Sequence, residues 1–147
     1  MISKDKFYID GAWQAPVGSG LIDVHSPTDG ALLATIPRGN AADAQAAIAA
    51  ARKAFDAWAA TPPARRAELL KKIQEGLKTR TDEIARDITL EMGMPYKLSQ
   101  RIQVGSPTAT FGMYARILGD FAFEEQVGNS KVVREPVGVV VAITPWN

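Results

Sequence analysis

The stretch Val137-Gly-Val-Val-Val-Ala-Ile143, followed by Thr144-Pro145-Trp146-Asn147, decides the fold that the sequence predicts. An unbroken apolar run rich in β-branched residues is typical of a strand buried on both faces of a parallel sheet. Pro145 cannot donate to a sheet ladder, so the predicted strand ends before it. Ligands of open α/β sheets bind just beyond the carboxyl ends of the strands, so Thr144 to Asn147 form the candidate site.

Upstream of this stretch the sequence predicts a small antiparallel β element. A hairpin is predicted over residues 7–14, because Asp10-Gly11 is a typical turn pair. Further strands are predicted at 21–25 and 32–36, with Pro37 closing the last of them.

Helices are predicted to follow. Asn40 is the expected N-cap of the first, and Thr61 that of the second. Residues 81–92 are predicted as a third helix that ends at Gly93, and a fourth runs from Pro95 to about Gly119 with a break near 105–107. The first helix is expected to bury one stripe. This stripe consists of Ile48, Ala51, Phe55 and Trp58. Residues 121–134 are predicted as a strand pair around Gly128-Asn129.

Composition limits the classes of function. The 147 residues fit one ordinary domain, and a net charge of +1 gives no field that favours nucleic acid or an anionic membrane. The chain has no cysteine and one histidine, which excludes a disulfide framework and the usual zinc sites. No apolar run reaches the length of a membrane span. Because charges occupy the opening residues where a signal peptide needs an apolar stretch, we expect a cytoplasmic protein.

The chain resembles the aldehyde dehydrogenase superfamily along nearly its whole length. Glu135-Pro-Val-Gly-Val-Val-Val-Ala-Ile-Thr-Pro-Trp-Asn147 matches the family's apolar strand that ends in Pro-Trp-Asn. The other matching segments are Phe7-Tyr-Ile-Asp-Gly-Ala-Trp13, Ser26-Pro-Thr-Asp-Gly30, Ala50-Ala-Arg-Lys-Ala-Phe-Asp-Ala-Trp58, Pro63-Ala-Arg-Arg-Ala-Glu-Leu-Leu70 and Leu90-Glu-Met-Gly-Met-Pro95. The resemblance covers the N-terminal portion of a family member.

The resemblance implies an α/β fold with an N-terminal β-hairpin element, helices and the first strand of a Rossmann-like parallel sheet, an incomplete aldehyde dehydrogenase fold. Residues 1–120 and 137–147 would be the N-terminal part of an NAD(P)-binding domain. Residues 121–136 would be part of an oligomerisation arm, and the catalytic domain would be absent from this chain. The intact protein is then expected to be a homo-dimer or homo-tetramer.

The resemblance also implies a chemistry, in which an aldehyde is oxidised to a carboxylic acid through a Cys thiohemiacetal with NAD or NADP as cofactor. Asn147 would donate its amide to the oxygen that becomes negatively charged, because such a donor stabilises the transition state. The residues implied to line the cofactor cleft are Ile143, Thr144, Pro145 and Trp146. Since the chain has no cysteine, we expect the 147 residues alone to be inactive.

Simpler interpretations stand beside these assignments. A lone loop Asn more often caps backbone, and a lone Trp more often packs in a core. The resemblance suggests Asp29 and Glu91 as ligands of a monovalent cation, but Asp29 replaces the usual Thr, so a turn Asp and a solvated Glu are favoured and no metal site is predicted. Phe111, Tyr114 and Phe121 would border the aldehyde tunnel or else pack in the core.

Two other functions stay open at this point. The chain is also consistent with a truncated, non-catalytic relative that serves as an oligomerisation or interaction module through residues 121–136. An unrelated small α/β binding protein is the third hypothesis, and the agreement of so many separate segments argues against it.

Overall fold

The structure, a computed structural model, describes residues 2–144. In chain order the elements are β1 (Ile2–Ser3), β2 (Phe7–Ile9), β3 (Ala12–Gln14), β4 (Leu21–His25), β5 (Leu32–Pro37), α1 (Ala41–Ala59), α2 (Pro63–Thr79), α3 (Thr81–Met92), α4 (Tyr96–Leu98), the π-helical segment π1 (Ser99–Val104), α5 (Gly105–Asp120), β6 (Glu124–Val127) and β7 (Ser130–Val133). The mixed α/β composition agrees with the sequence prediction.

The N-terminal β layer forms as predicted, with one addition. In the hairpin β2–β3 the turn residues Asp10 and Gly11 have φ values of 51° and 78°, the left-handed conformations that a two-residue hairpin turn requires. Strand β5 pairs antiparallel with β4, and Ile22 lies opposite Ile36. The sequence did not predict β1, a very short strand that pairs parallel with β5.

Helix α1 begins where the sequence predicts. The Asn40 side chain accepts a hydrogen bond from the Asp43 N–H at 3.1 Å, and the Asp43 carboxylate accepts one from the Asn40 N–H at 2.9 Å. This reciprocal pair is a capping box. The other carboxylate oxygen of Asp43 accepts from the Val17 N–H at 2.8 Å, so one buried side chain joins the start of α1 to the preceding loop.

The predicted burial of the α1 stripe is wrong for this chain. Ile48 is 48% exposed and Trp58 is 50% exposed, and Ala51 is exposed as well. Phe55 is half-buried. Among the described elements α1 packs chiefly on the short strand β2, so most of the stripe has no element to cover it.

The packed core lies among the later helices. Helix α2 runs along α5, and each contributes a buried alanine to their contact, Ala67 and Ala115. Helix α3 packs on π1, where Ala85 and Ser99 are completely buried. Small residues at these crossings let the helix backbones approach closely, so the core forms with few large side chains.

The junctions between helices follow the predictions in part. Gly93 ends α3 with φ 74°, as its predicted place after the helix requires. Thr61 was predicted to cap α2, but Pro62 occupies the cap position and the Thr61 hydroxyl donates back to the Ala57 carbonyl at 3.0 Å. No break occurs at 105–107; instead the helix widens into π1 directly upstream, and Pro107 lies in the first turn of α5.

The hairpin β6–β7 confirms the strand pair predicted around Gly128-Asn129. Glu124 lies opposite Val133, Val127 lies opposite Ser130, and Gly128 has φ 59°. Both strands are exposed along their whole length, so this hairpin projects from the helical core without another described element covering it.

Candidate functional site

The segment that leads to the candidate site leaves the hairpin through Arg134. The Arg134 N–H donates to the Phe123 carbonyl at 2.8 Å. Its guanidinium donates to the Ala122 carbonyl at 2.9 Å and to the Glu125 carboxylate at 2.8 Å. These bonds fix the start of the segment against the base of the hairpin.

Beyond Glu135 the predicted strand is not formed. Residues 134–144 have no regular secondary structure, and the side chains of Val137 and Ile143 are 94% and 92% exposed. The prediction of a strand at residues 137–143 is therefore wrong for the isolated chain. A parallel strand needs a neighbouring strand for its backbone hydrogen bonds and helices for its faces, and no described element pairs with residues 137–143.

Of the predicted site residues, the structure describes two. Ile143 and Thr144, expected to line a cofactor cleft, are both exposed and lie in irregular backbone. Pro145, Trp146 and Asn147 lie outside the described residues. The backbone N–H and C=O groups around Ile143 and Thr144 lie outside any sheet ladder, which suits groups that bind a ligand or complete a larger sheet.

Of the two carboxylates considered for a cation, Glu91 is exposed on α3, and Asp29 lies in a turn. Asp29 accepts a hydrogen bond from the Ala31 N–H at 3.1 Å, which lowers its pKa, and the Ser26 hydroxyl lowers that pKa further. Asp29 is thus a turn residue, as favoured from the sequence. His25 lies 3.1 Å from the Gly30 carbonyl through Nδ1, in the same turn. Within residues 2–144 no group of three or more His, Asp and Glu side chains is arranged to hold a metal ion.

The remaining shifted pKa values belong to exposed pairs on α3 and α4. The Tyr96 hydroxyl donates to the Asp82 carboxylate at 3.0 Å, and this raises the pKa of Tyr96. The Arg80 guanidinium binds the Glu83 carboxylate at 2.7 Å, which lowers the pKa of Glu83. The first contact ties α4 to the start of α3, the second is local to the start of α3, and neither forms an acid–base pair around a cleft.

The aromatic residues proposed for a tunnel divide between two places. Phe111 and Tyr114 line an apolar cleft of about 390 Å³ between α2 and α5, together with Leu70, Thr110 and Leu118. Phe121 instead lies in a separate cleft of about 770 Å³, between the start of α2 and the base of the β6–β7 hairpin. The structure therefore brings two of the three together.

The second cleft contains a cluster that the sequence did not predict. The Arg66 guanidinium lies over the Phe123 ring, 5.0 Å from its centroid. Nothing in the pattern of α2 distinguishes Arg66 from its neighbour Arg65, and Phe123 is remote in sequence, so only the tertiary structure shows the contact.

None of the helices in the described part of the chain has the length and apolarity to cross a membrane.

Comparison with known proteins gives consistent results. The aldehyde dehydrogenase family matches residues 13–147. The chain is 41% identical over 143 residues to a 3-succinoylsemialdehyde-pyridine dehydrogenase from a Pseudomonas species, covering 97% of this chain and 30% of that protein.

Solved structures agree. Aldehyde dehydrogenase C from Pseudomonas syringae, a mutant crystallised with NAD+ and octanal, is 35% identical with a TM-score of 0.89, covering 90% of this chain and 27% of that one. An aldehyde dehydrogenase from Mycobacterium tuberculosis with NAD+ is 31% identical with a TM-score of 0.86, covering 92% and 29%. The chain thus spans 27–30% of the length of these relatives. From residue 13 onward, the chain belongs to the aldehyde dehydrogenase family.

Proposed function

We propose that the chain is the N-terminal portion of an NAD(P)-dependent aldehyde dehydrogenase that oxidises an aldehyde to a carboxylic acid. The family match that runs through Thr144-Pro-Trp-Asn147 is the observation that carries this proposal. The likeness to two solved dehydrogenases that hold NAD+, one of them also with octanal, supports it. The cytoplasmic location expected from the sequence belongs to the same proposal.

In this proposal Asn147 is the catalytic residue of the chain. Attack of a thiolate on an aldehyde puts negative charge on the carbonyl oxygen as the thiohemiacetal forms. The neutral amide of Asn147 donates a hydrogen bond to that oxygen and stabilises the charge. The thiolate comes from residues other than these 147, because the chain has no cysteine.

The proposed cofactor contacts are Ile143, Thr144, Pro145 and Trp146. The described members of this group fit the role in that Ile143 and Thr144 are exposed and their backbone is not used in a sheet. The nicotinamide group, when bound, accepts the hydride. These residues would form one wall of the nicotinamide cleft. They would belong to the NAD(P)-binding domain, to which the resemblance assigns residues 1–120 and 137–147.

Residues 121–136 are proposed as part of the arm through which copies associate into a homo-dimer or homo-tetramer. The support is the hairpin β6–β7, which is exposed on every residue and carries open strand edges. Open edges of this kind pair readily with another chain.

The alternative function is a non-catalytic relative in which the arm alone is used, as an oligomerisation module. It predicts the same exposed hairpin but no role for Asn147. The two proposals therefore differ in whether a catalytic domain is encoded after the Pro-Trp-Asn motif.

The test combines the coding sequence beyond Asn147 with an enzyme assay. We expect the coding sequence beyond Asn147 to encode a cysteine in a Gly-Gln-x-Cys-like context, and the complete protein to reduce NAD+ or NADP+ with aldehydes. The 147-residue chain assayed in parallel should form no reduced cofactor. A stop codon directly after Asn147 would favour the module, and turnover by the purified 147-residue chain would contradict the mechanism.

A further inference from the structure

Four side chains join the start of α2 to the base of the β6–β7 hairpin in one continuous stack. The Arg66 guanidinium lies 5.0 Å from the centroid of the Phe123 ring. The Phe123 and Phe121 rings meet edge to face, with centroids 4.7 Å apart and planes at 66°. On the far side the Arg134 guanidinium lies 5.9 Å from the Phe121 ring. We call Arg66, Phe123, Phe121 and Arg134 the arginine–phenylalanine stack.

The two ends of the stack have different partners. Arg134 also binds the Ala122 carbonyl and the Glu125 carboxylate, so it holds the two strands of the hairpin together. The Arg66 side chain makes no hydrogen bond or ion pair within residues 2–144, and its Nε is buried without a partner. The Phe123 ring is therefore the contact that the structure shows for the partly buried Arg66 guanidinium, and cation–π contacts strengthen when desolvated.

The neighbouring arginine shows that this arrangement is particular to Arg66. Arg65 has the same charge and lies in the same turn of α2, but its guanidinium binds the Glu68 carboxylate at 2.7 Å on the exposed surface. Arg65 therefore reaches its own helix, whereas Arg66 reaches the hairpin.

We infer that Arg66 anchors the hairpin, because its contact with Phe123 sets the direction in which β6–β7 projects from the helical core. The hairpin is exposed on both strands, so its direction depends on its base. The inference rests on the proposed function in one respect, which is that residues 121–136 are the arm. The partner that pairs with the hairpin edge is then a second copy of this chain, and Arg66 positions the arm for that copy.

The test measures amide hydrogen exchange in the full chain and compares Arg66→Gln with the matched control Arg65→Gln. Loss of the anchor should raise exchange across residues 121–134 by about 3-fold to 30-fold, the range that a partly buried cation–π contact supports. Exchange in α3 should not change. Arg65→Gln should behave as wild type, and equal exchange in the two variants would overturn the inference.

Two further variants keep the test decisive if Arg66→Gln loses its helical circular dichroism. Phe123→Leu removes the ring from the other side of the contact and keeps an apolar side chain, so it should raise exchange in the same residues. Arg66→Lys keeps the cation and should restore part of the protection. Wild-type exchange in a folded Phe123→Leu chain would overturn the inference as well.

A separate measurement distinguishes the anchor from the arm. In the complete protein, a variant in which residues 124–133 are replaced by a short Gly-Ser linker should lose its dimeric or tetrameric mass, measured by light scattering, if the arm is the interface. Unchanged mass in that variant would contradict the proposed arm. Exchange in Arg66→Gln would still decide the anchor, because it reports on residues 121–134 directly.

Discussion

Two apolar parts of this chain differ in whether they are buried and regularly structured. Where α2 crosses α5, the small residues Ala67 and Ala115 are buried, and both surfaces of the contact come from the chain itself. The run from Val137 to Ile143 is far more apolar, yet its side chains are largely exposed and its backbone forms no strand. The more hydrophobic segment is thus the less structured of the two.

This difference means that an apolar pattern identifies a surface that requires a packing partner. The pattern does not show whether that partner lies in the same chain. The exposed stripe of α1 leads to the same conclusion, since Ile48 and Trp58 recur at helical spacing and remain half-exposed. Burial of such surface contributes stability only when both partners lie in the same assembly. We therefore expect substitutions in the helical core to change stability, and substitutions after residue 136 to change assembly or catalysis.

The largest expected effect concerns the terminal segment. Asn147→Ala in the proposed complete enzyme should lower kcat by about 100-fold to 1,000-fold, because the proposed mechanism then loses one oxyanion donor. kcat and kcat/KM should fall together, since the interaction forms only in the transition state. Steady-state kinetics with aldehyde and cofactor measures both.

The matched control for this substitution is Asn129→Ala, in the turn of the β6–β7 hairpin, which should leave kcat within a few-fold of wild type. The melting temperature of each variant shows whether it is folded. If folded Asn147→Ala enzyme turns over like the control, Asn147 is a structural residue and its catalytic assignment is wrong.

The next effect is on assembly. The 147-residue chain should self-associate, because the uncovered side chains of residues 137–143 and their unpaired backbone seek partners. A chain that ends at Arg134 should show a lower mass by light scattering. A clean monomer of 147 residues with a cooperative, high-temperature melt would contradict this, and association that survives the truncation would assign it to the hairpin instead.

The sequence predicted the features that depend on neighbouring residues. The turn at Asp10-Gly11, the cap at Asn40 and the end of α3 at Gly93 all arise from the local chemistry of a few residues. Thr61 is not the cap of α2, because Pro62 occupies that position and the Thr61 hydroxyl donates to the Ala57 carbonyl one helical turn upstream.

The rest could not be predicted because it depends on remote residues. Arg66 and Phe123 are far apart in sequence, and no spacing links them. The candidate site is a mixed case: its family resemblance rests on the stretch from Glu135 to Asn147 together with the matching upstream segments, whereas the described structure reaches only Ile143 and Thr144. A site that needs a complete sheet cannot be assembled by a segment without its neighbours.

In the packed region, removal of the Asp43 carboxylate should have a clear effect on stability. Asp43→Ala should lower the free energy of unfolding by about 1–3 kcal/mol, because the capping box is lost and the Val17 N–H loses its acceptor. Chemical unfolding followed by helical circular dichroism measures the change. Asp56→Ala, an exposed position on the same helix, is the control and should stay within about 0.5 kcal/mol of wild type. Equal losses in both variants would show that the carboxylate at 43 has no special role.

The smallest expected effect comes from the same substitution at two glycines that differ in backbone conformation. It tests whether that local conformation decides the sign of the stability change. Gly93→Ala should destabilise the chain by about 1–2 kcal/mol, because alanine is strained at φ 74°. Its Cβ would also lie 3.1 Å from Cγ of Pro27, so the turn that packs there must shift. Gly76 lies inside α2 with open space around it, and Gly76→Ala should stabilise the chain by about 1 kcal/mol through helix propensity. The two identical substitutions should therefore change the unfolding midpoint in opposite directions. If both stabilise the chain, the left-handed backbone at residue 93 does not disfavour alanine, and the strain argument is wrong.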